Sequence, residues 1–184
     1  MDPLILCEQL RAAMPQDTIY VDETVTYGTT VHQHLSWNSP QCFFRTPTGL
    51  GQGLGVALGV KLAARDRPVV LLTGDGSFLY NPVLAGLGAA KANNIPIIVI
   101  VFNNHEYKSM KRNHLDLYPR GVAKQTGIHF GNKVDTLDYA ELAKLFGGFG
   151  KRVDDAAELK QVLGEALAAT RAGKPVVLNV VMSR

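Results

Sequence analysis

Apolar and polar positions along the chain switch repeatedly between a helical and a strand period. Pro3 to Met14 carries Leu4, Leu6, Leu10 and Met14 near one helical face, with proline at its start and Pro15 as a stop. Thr18 to Val21 is a short apolar strand that runs into the polar loop Asp22 to Thr26. A helix is expected over Thr29 to Leu35, a turn at Asn38-Ser39-Pro40 and a second strand over Cys42 to Arg45. The glycine-rich stretch Thr46 to Gly55 leads into a helix, VALGVKLAAR, which Arg65 to Pro68 ends. Val69 to Thr73 is the third strand, and Gly74-Asp75-Gly76-Ser77 follows it directly as a glycine turn.

Asn81 to Asn93 reads as one helix of small residues, and Pro96 to Phe102 as the fourth strand. A short helix starts at Asn104 and runs to about Arg112. Asn113 to Thr136 is the least regular segment, and long irregular segments in compact domains are usually functional. A helix over Asp138 to Phe146, a strand over Phe149 to Val153, a helix over Ala156 to Arg171 and a strand over Pro175 to Met182 complete the chain. The near-continuous Ile and Val of the fourth strand call for burial on both faces, as in a parallel sheet. Alternation of strands and helices makes the class α/β, a three-layer αβα domain with a parallel sheet of about six strands.

Composition narrows this picture only slightly. A chain of 184 residues is read as one domain with a full core. A net charge of +3 is too small to argue for nucleic acid. No apolar run reaches the roughly 18 residues that span a bilayer. MDPLILCEQLRAAMP lacks a basic leader and a long apolar core, so no signal peptide and a cytoplasmic location are expected. Cys7 and Cys42 form no CxxC pair and read as buried thiols in a reducing compartment.

Candidate chemistry gathers at strand ends. Glu23 to Thr26, Thr46 to Gly51, Gly74 to Ser77 and Asn103 to Glu106 all follow strands, and ligands of open α/β sheets bind at the carboxyl ends of strands. A carboxylate and an amide oxygen beside a glycine turn suit Mg²⁺ holding a diphosphate. Each residue alone has a plainer reading: Asp75 as a turn residue, Asn104 as a helix N-cap, Leu50 as a core leucine. The glycines do not fit a dinucleotide fingerprint, since no start within Gly49 to Gly55 places glycine at all three GxGxxG positions. No GxxxxGK[ST] occurs. His32 and His34 share no helical face, and His105 lies between two candidate site residues. Residues 105–133 hold six Lys and Arg against two acids, which suits either a lid for an acidic substrate or a solvated face.

The paired motif carries a resemblance. Gly-Asp-Gly-Ser, followed 29 residues after its Asp by the second Asn of Asn103-Asn104, resembles the thiamine diphosphate (ThDP) motif. The text VVLLTGDGSF…NNIPIIVIVFNNHEYKSMK is similar to the diphosphate-binding domain of the benzoylformate decarboxylase and acetolactate synthase superfamily. The resemblance implies a thiamin-diphosphate-binding fold, with ThDP and Mg²⁺ as cofactors. It implies that Asp75, the Asn104 side chain and the Glu106 backbone carbonyl hold Mg²⁺, with two diphosphate oxygens and a water completing an octahedron. Gly74, Gly76 and Ser77 fall to the diphosphate, and Thr24 and Thr26 cap it from the other side. Leu50 takes the place of the wedge that bends the cofactor, beside Gly49, and the Thr48 carbonyl accepts from its amino group. Tyr107, Met110 and Asn113 face the thiazolium or the substrate.

The resemblance also implies what the chain lacks. In the family, a glutamate from a separate pyrimidine-binding domain activates the cofactor, and Glu23 does not match that role. The chain is therefore expected to be a subunit or C-terminal domain of a 2-oxo acid decarboxylase, lyase or carboligase. It would be a half-site, inactive alone, that forms homo- or hetero-oligomers with its pyrimidine-binding partner. The alternative is a non-catalytic ThDP-binding or dimerisation module.

Overall fold

The computed structural model describes residues 1–46, 49–134 and 137–183. Helix α1 (Pro3–Ala13) is capped by Asp2, which accepts the Leu4 amide at 2.7 Å. The strands and remaining α-helices are β1 (Ile19–Glu23), α2 (Gly28–His34), β2 (Phe43–Arg45), α3 (Gly53–Ala63), β3 (Val69–Gly74), α4 (Asp75–Tyr80), α5 (Val83–Ala92), β4 (Ile98–Asn103), α6 (Lys108–Leu117), α7 (Val122–Thr126), α8 (Glu141–Lys144), β5 (Phe149–Val153), α9 (Leu159–Arg171) and β6 (Val176–Val181), with short 3-10 turns at Pro40–Cys42 and Ala156–Glu158. All six strands are parallel, in the order β2-β1-β3-β4-β6-β5.

The strand alternation builds two cores. Val70, Leu72, Ile98, Ile100, Phe102, Val176, Leu178 and Val180 face α1, α2 and α9. Val69, Leu71, Val99, Val101 and Val177 face the layer that includes Leu54 and Ala57 of α3 and Leu87 of α5. Each fully buried Val, Leu or Ile contributes about 1.5–3 kcal/mol, so the sheet is the rigid part of the molecule. From β1 the chain leaves towards β2, whereas from β3 it leaves towards β4. The carboxyl ends of β1 and β3 therefore flank a point where strand order reverses, the usual place for a ligand crevice.

Several local expectations change. Asp22 and Glu23 are strand residues with full register to β3, not loop residues. Gly-Asp-Gly-Ser is not a turn: α4 starts at Asp75, with Gly74 as its extended N-cap. The helix expected over Asn81 to Asn93 begins only at Val83, because α4 ends at Tyr80 and Pro82 restarts the chain. No helix starts at Asn104, because His105 takes a left-handed φ of 62° and helical structure resumes at Lys108. That helix, α6, extends to Leu117, and α7 follows, so the segment after Asn113 is more regular than its sequence suggests. Only Glu141–Lys144 of the helix expected over Asp138 to Phe146 is helical, and Gly147 is left-handed just after it. No helix among the described residues is long and apolar enough to cross a membrane.

Candidate cofactor site

A cavity of about 170 Å³ opens at the carboxyl ends of β1, β3 and β4. The loop after β1 gives it Thr24 to Tyr27, the end of β3 and the start of α4 give Gly74 to Ser77, and the segment after β4 gives Asn104 and Glu106 to Met110. Leu50 reaches it from the glycine-rich loop. Thr24, Thr26, Leu50, Gly74, Asp75, Gly76, Ser77, Asn104, Glu106, Tyr107 and Met110 are thus brought together. Gly49 and Asn113 do not line the cavity, and Thr48 lies outside the described residues. None of the five histidines lines it.

Asp75 is 3% exposed and sits on the first turn of α4. Its Oδ1 accepts the Gly76 amide at 2.9 Å, whereas its Oδ2 is buried with no hydrogen-bond partner. Burial pushes its carboxyl above the usual carboxylate range, against the opposing pull of the Gly76 amide and of His105. An orphaned buried carboxylate oxygen is costly unless something else binds it. Asn104 supplies a second oxygen donor, and its Oδ1 holds the Glu106 amide at 3.0 Å. The Glu106 carbonyl accepts the Lys108 amide at 2.8 Å. The Glu106 side chain is used elsewhere. Burial would raise its carboxyl, but bonds from Asn132 (2.7 Å) and Lys111 (3.4 Å) hold it below its ordinary value. Among the described residues no three His, Cys, Asp or Glu side chains cluster as a metal site. Asp75, amide oxygens and carbonyls are the donors at hand, and such hard oxygens suit Mg²⁺ rather than a softer metal.

The side of the cavity at the start of α4 is shaped by backbone. Asp75, Gly76 and Ser77 occupy the first turn of α4, which no side chain caps. A Cβ on Gly76 would stand 2.5 and 2.7 Å from Tyr107 ring carbons, so only glycine lets that ring lie against the turn. Thr24 is anchored instead of free: its amide and hydroxyl both donate to Asp22 Oδ1, at 2.8 and 2.6 Å. Thr26 at the same loop is half-buried and makes no such bond.

Two residues that the motif did not reveal hold this arrangement. Glu23, 2% exposed, accepts the amides of Gly51, Gln52 and Gly53 on Oε1 at 2.8, 2.8 and 2.9 Å. Its Oε2 accepts Asn81 Nδ2 at 2.7 Å and the Thr73 hydroxyl at 3.3 Å. Asn81 also donates to the Ser77 carbonyl at 2.9 Å and accepts the Leu54 amide at 2.9 Å. This network ties the start of α3, and hence the loop bearing Leu50, to α4. The one available signal was an acid at the end of an apolar strand, which reads equally well as a solvated loop. Neighbouring asparagines divide their work in the same way. Asn104 lines the cavity, whereas Asn103 is fully buried and donates to Asn179 at 3.0 Å, which in turn donates to Asp138 at 3.0 Å.

A parallel sheet between two helical layers, with a crevice at its switch point, defines a class of ligand-binding α/β domains. Comparison with known proteins specifies which: residues 23–180 match the family model described as thiamine pyrophosphate enzyme, C-terminal TPP binding domain, and the chain belongs to that family. It is 30% identical to the benzoylformate decarboxylase of Pseudomonas aeruginosa, covering 97% of this chain and 32% of that protein. It is 24% identical to the sulfoacetaldehyde acetyltransferase of Alcaligenes xylosoxydans xylosoxydans, over 100% of this chain and 30% of that protein. Among solved structures, the benzoylformate decarboxylase of Polynucleobacter necessarius superposes with a TM-score of 0.82 at 28% identity, covering 99% of this chain and 33% of that one. The chain thus spans about a third of the length of these relatives.

Proposed function

We propose that this chain is the diphosphate-binding half of a ThDP- and Mg²⁺-dependent enzyme acting on 2-oxo acids. The observation that carries the reading is the unpartnered buried Oδ2 of Asp75 in a cavity that Asn104 and the first turn of α4 also line. Asp75, the Asn104 side chain and the Glu106 carbonyl would hold Mg²⁺. Gly74, Gly76, Ser77 and Thr26 would meet the diphosphate, and Thr24 would shape the loop, since its own donors serve Asp22. Leu50 would pack against the cofactor, with Tyr107 and Met110 towards the substrate.

When bound, ThDP supplies a carbon nucleophile for the carbonyl of a 2-oxo acid. This chain's residues bind and orient the cofactor's tail. Among the described residues, Asp75 and Glu106 are the carboxylates that line the cavity, and we assign activation of the reactive ring to a pyrimidine-binding domain or subunit. Exposed Gly55, Gly59 and Leu62 of α3 and Leu84 and Ala85 of α5 are the docking faces for that partner or a second copy. Decarboxylation or carboligation in the cytoplasm is the expected activity of the assembled enzyme.

Calorimetric titration of the chain tests this reading. ThDP binding is expected with Mg²⁺ and is expected to disappear with EDTA, while turnover of 2-oxo acids appears only after a pyrimidine-binding partner is added. Metal-independent binding, or no binding, would remove the proposal. Turnover by the chain alone would remove its half-site part.

A further inference from the structure

We propose that a cationic cavity beside the cofactor site is an anion subsite selecting substrates with a second acidic group, a carboxylate, sulfonate or phosphate, distal to the 2-oxo acid. The inference rests on the cofactor reading above and names the substrate class of the same site. This second cavity, of about 380 Å³, shares Thr26, Glu106, Lys108 and Ser109 with the cofactor cavity, so the two are contiguous. A substrate reacting in one can place its far end in the other.

The charge in the cavity is unbalanced. Lys108, Lys111 and Arg112 come from α6, at spacings of three and four that put them on one helical face, and Lys124 comes from α7. Lys111 is committed to Glu106, which Asn132 also holds. Among the described residues no ion pair engages Lys108, Arg112 or Lys124. Lys108 adds its field to Glu106 without a close ion pair, and Asp116 is the other acid in the lining, so four cations face two carboxylates. A solvated face spreads its charge outward. Here the cations converge on a concavity, where protein walls focus their field on whatever enters. The placement also works against α6 itself. Its first turn holds no acid, and cations near a helix N-terminus oppose the helix dipole. Another cavity against α6 mixes Tyr80, Met110, Ile128 and Phe130 with Lys111 and two histidines, so it carries less fixed charge than the cationic one.

The test is equilibrium titration of the full chain with 2-oxoglutarate, a dianion, and with pyruvate, a monoanion, each with and without ThDP and Mg²⁺. The dianion is expected to bind roughly tenfold more tightly than pyruvate, with the preference shrinking as salt rises. The double variant Arg112→Gln/Lys124→Gln alters two exposed side chains, should melt as the wild type does, and should bind the two acids alike. Equal binding of both acids by the wild type, a preference that survives in the variant, or no dianion binding would each overturn the subsite. A ThDP titration of the same samples reads the cofactor site separately: a chain that prefers the dianion yet binds no ThDP keeps the subsite and sinks the cofactor reading.

Discussion

Glu23 and Asp75 are two buried carboxylates at the carboxyl ends of adjacent strands, and their surroundings differ in kind. Glu23 receives five hydrogen bonds, from three amides, an asparagine and a threonine. Asp75 Oδ1 accepts the Gly76 amide, and its other oxygen is buried and bare. Both lost their water on folding, but only Glu23 recovered its interactions within the chain. A charge fully repaid by its own protein is a structural tie, and one left half-repaid is a binding group awaiting its ligand. The comparison therefore sorts residues by what they lack rather than by what they touch.

The contrast can be broken most forcefully at Glu23. Glu23→Ala strands the amides of Gly51, Gln52 and Gly53 and one donor of Asn81, and loss of bonds to a buried charge costs at least about 3 kcal/mol. For a domain of this size that lowers the melting temperature by roughly 10 °C. Urea unfolding without ligand measures it, and a loss under 1 kcal/mol would show that the network is dispensable.

Asp75→Ala should behave in the opposite sense. Unliganded, it should melt at or slightly above the wild-type temperature, because the variant no longer buries a bare oxygen. Its Mg²⁺-dependent ThDP affinity should fall by about a hundredfold, as for a charged ligand worth roughly 3 kcal/mol. Calorimetry alongside thermal melts separates the two readouts. Unchanged ThDP affinity, or a large stability loss, would place Asp75 with Glu23 and dissolve the distinction.

How much of this was legible in the sequence follows from the same physics. The strands were, because a core facing both layers demands unbroken Val and Ile, as in β4. That Asp75 and Asn104 share one cavity was, through the resemblance that their motif carries. Glu23 was not legible as a tie: its partners lie 28 to 58 residues away, and nothing local distinguishes it from a loop acid. Helix α4 was hidden because a Gly-Asp-Gly run has poor helix propensity and forms helix only where tertiary contacts hold it. The regularity of α6 beyond Asn113 was missed because few apolar residues mark its face, and none of its residues is buried. Asn103 and Asn104 look identical in sequence, yet Asn103, the last residue of β4, joins a buried relay and Asn104, just past the strand, lines the cavity.

The smallest expected effect tests whether Gly76 serves the fold or the ligand. A Cβ there meets the Tyr107 ring, while the remaining surroundings of the turn are open enough that no other contact is as close. Gly76→Ala should therefore push the ring away and cost about 1–2 kcal/mol through overpacking. Removing the ring removes the conflict, so the double variant Gly76→Ala/Tyr107→Ala should be no less stable than Tyr107→Ala alone. The double-mutant cycle in urea reads this coupling directly. ThDP titrations of the same four proteins add the second axis. If the ring is the only reason for glycine, the double variant binds ThDP as Tyr107→Ala does. If the diphosphate itself approaches the turn too closely for a methyl group, the double variant regains stability and still fails to bind. That second result is the one expected here, because Gly76 lines the cavity on the same turn as the bare oxygen of Asp75.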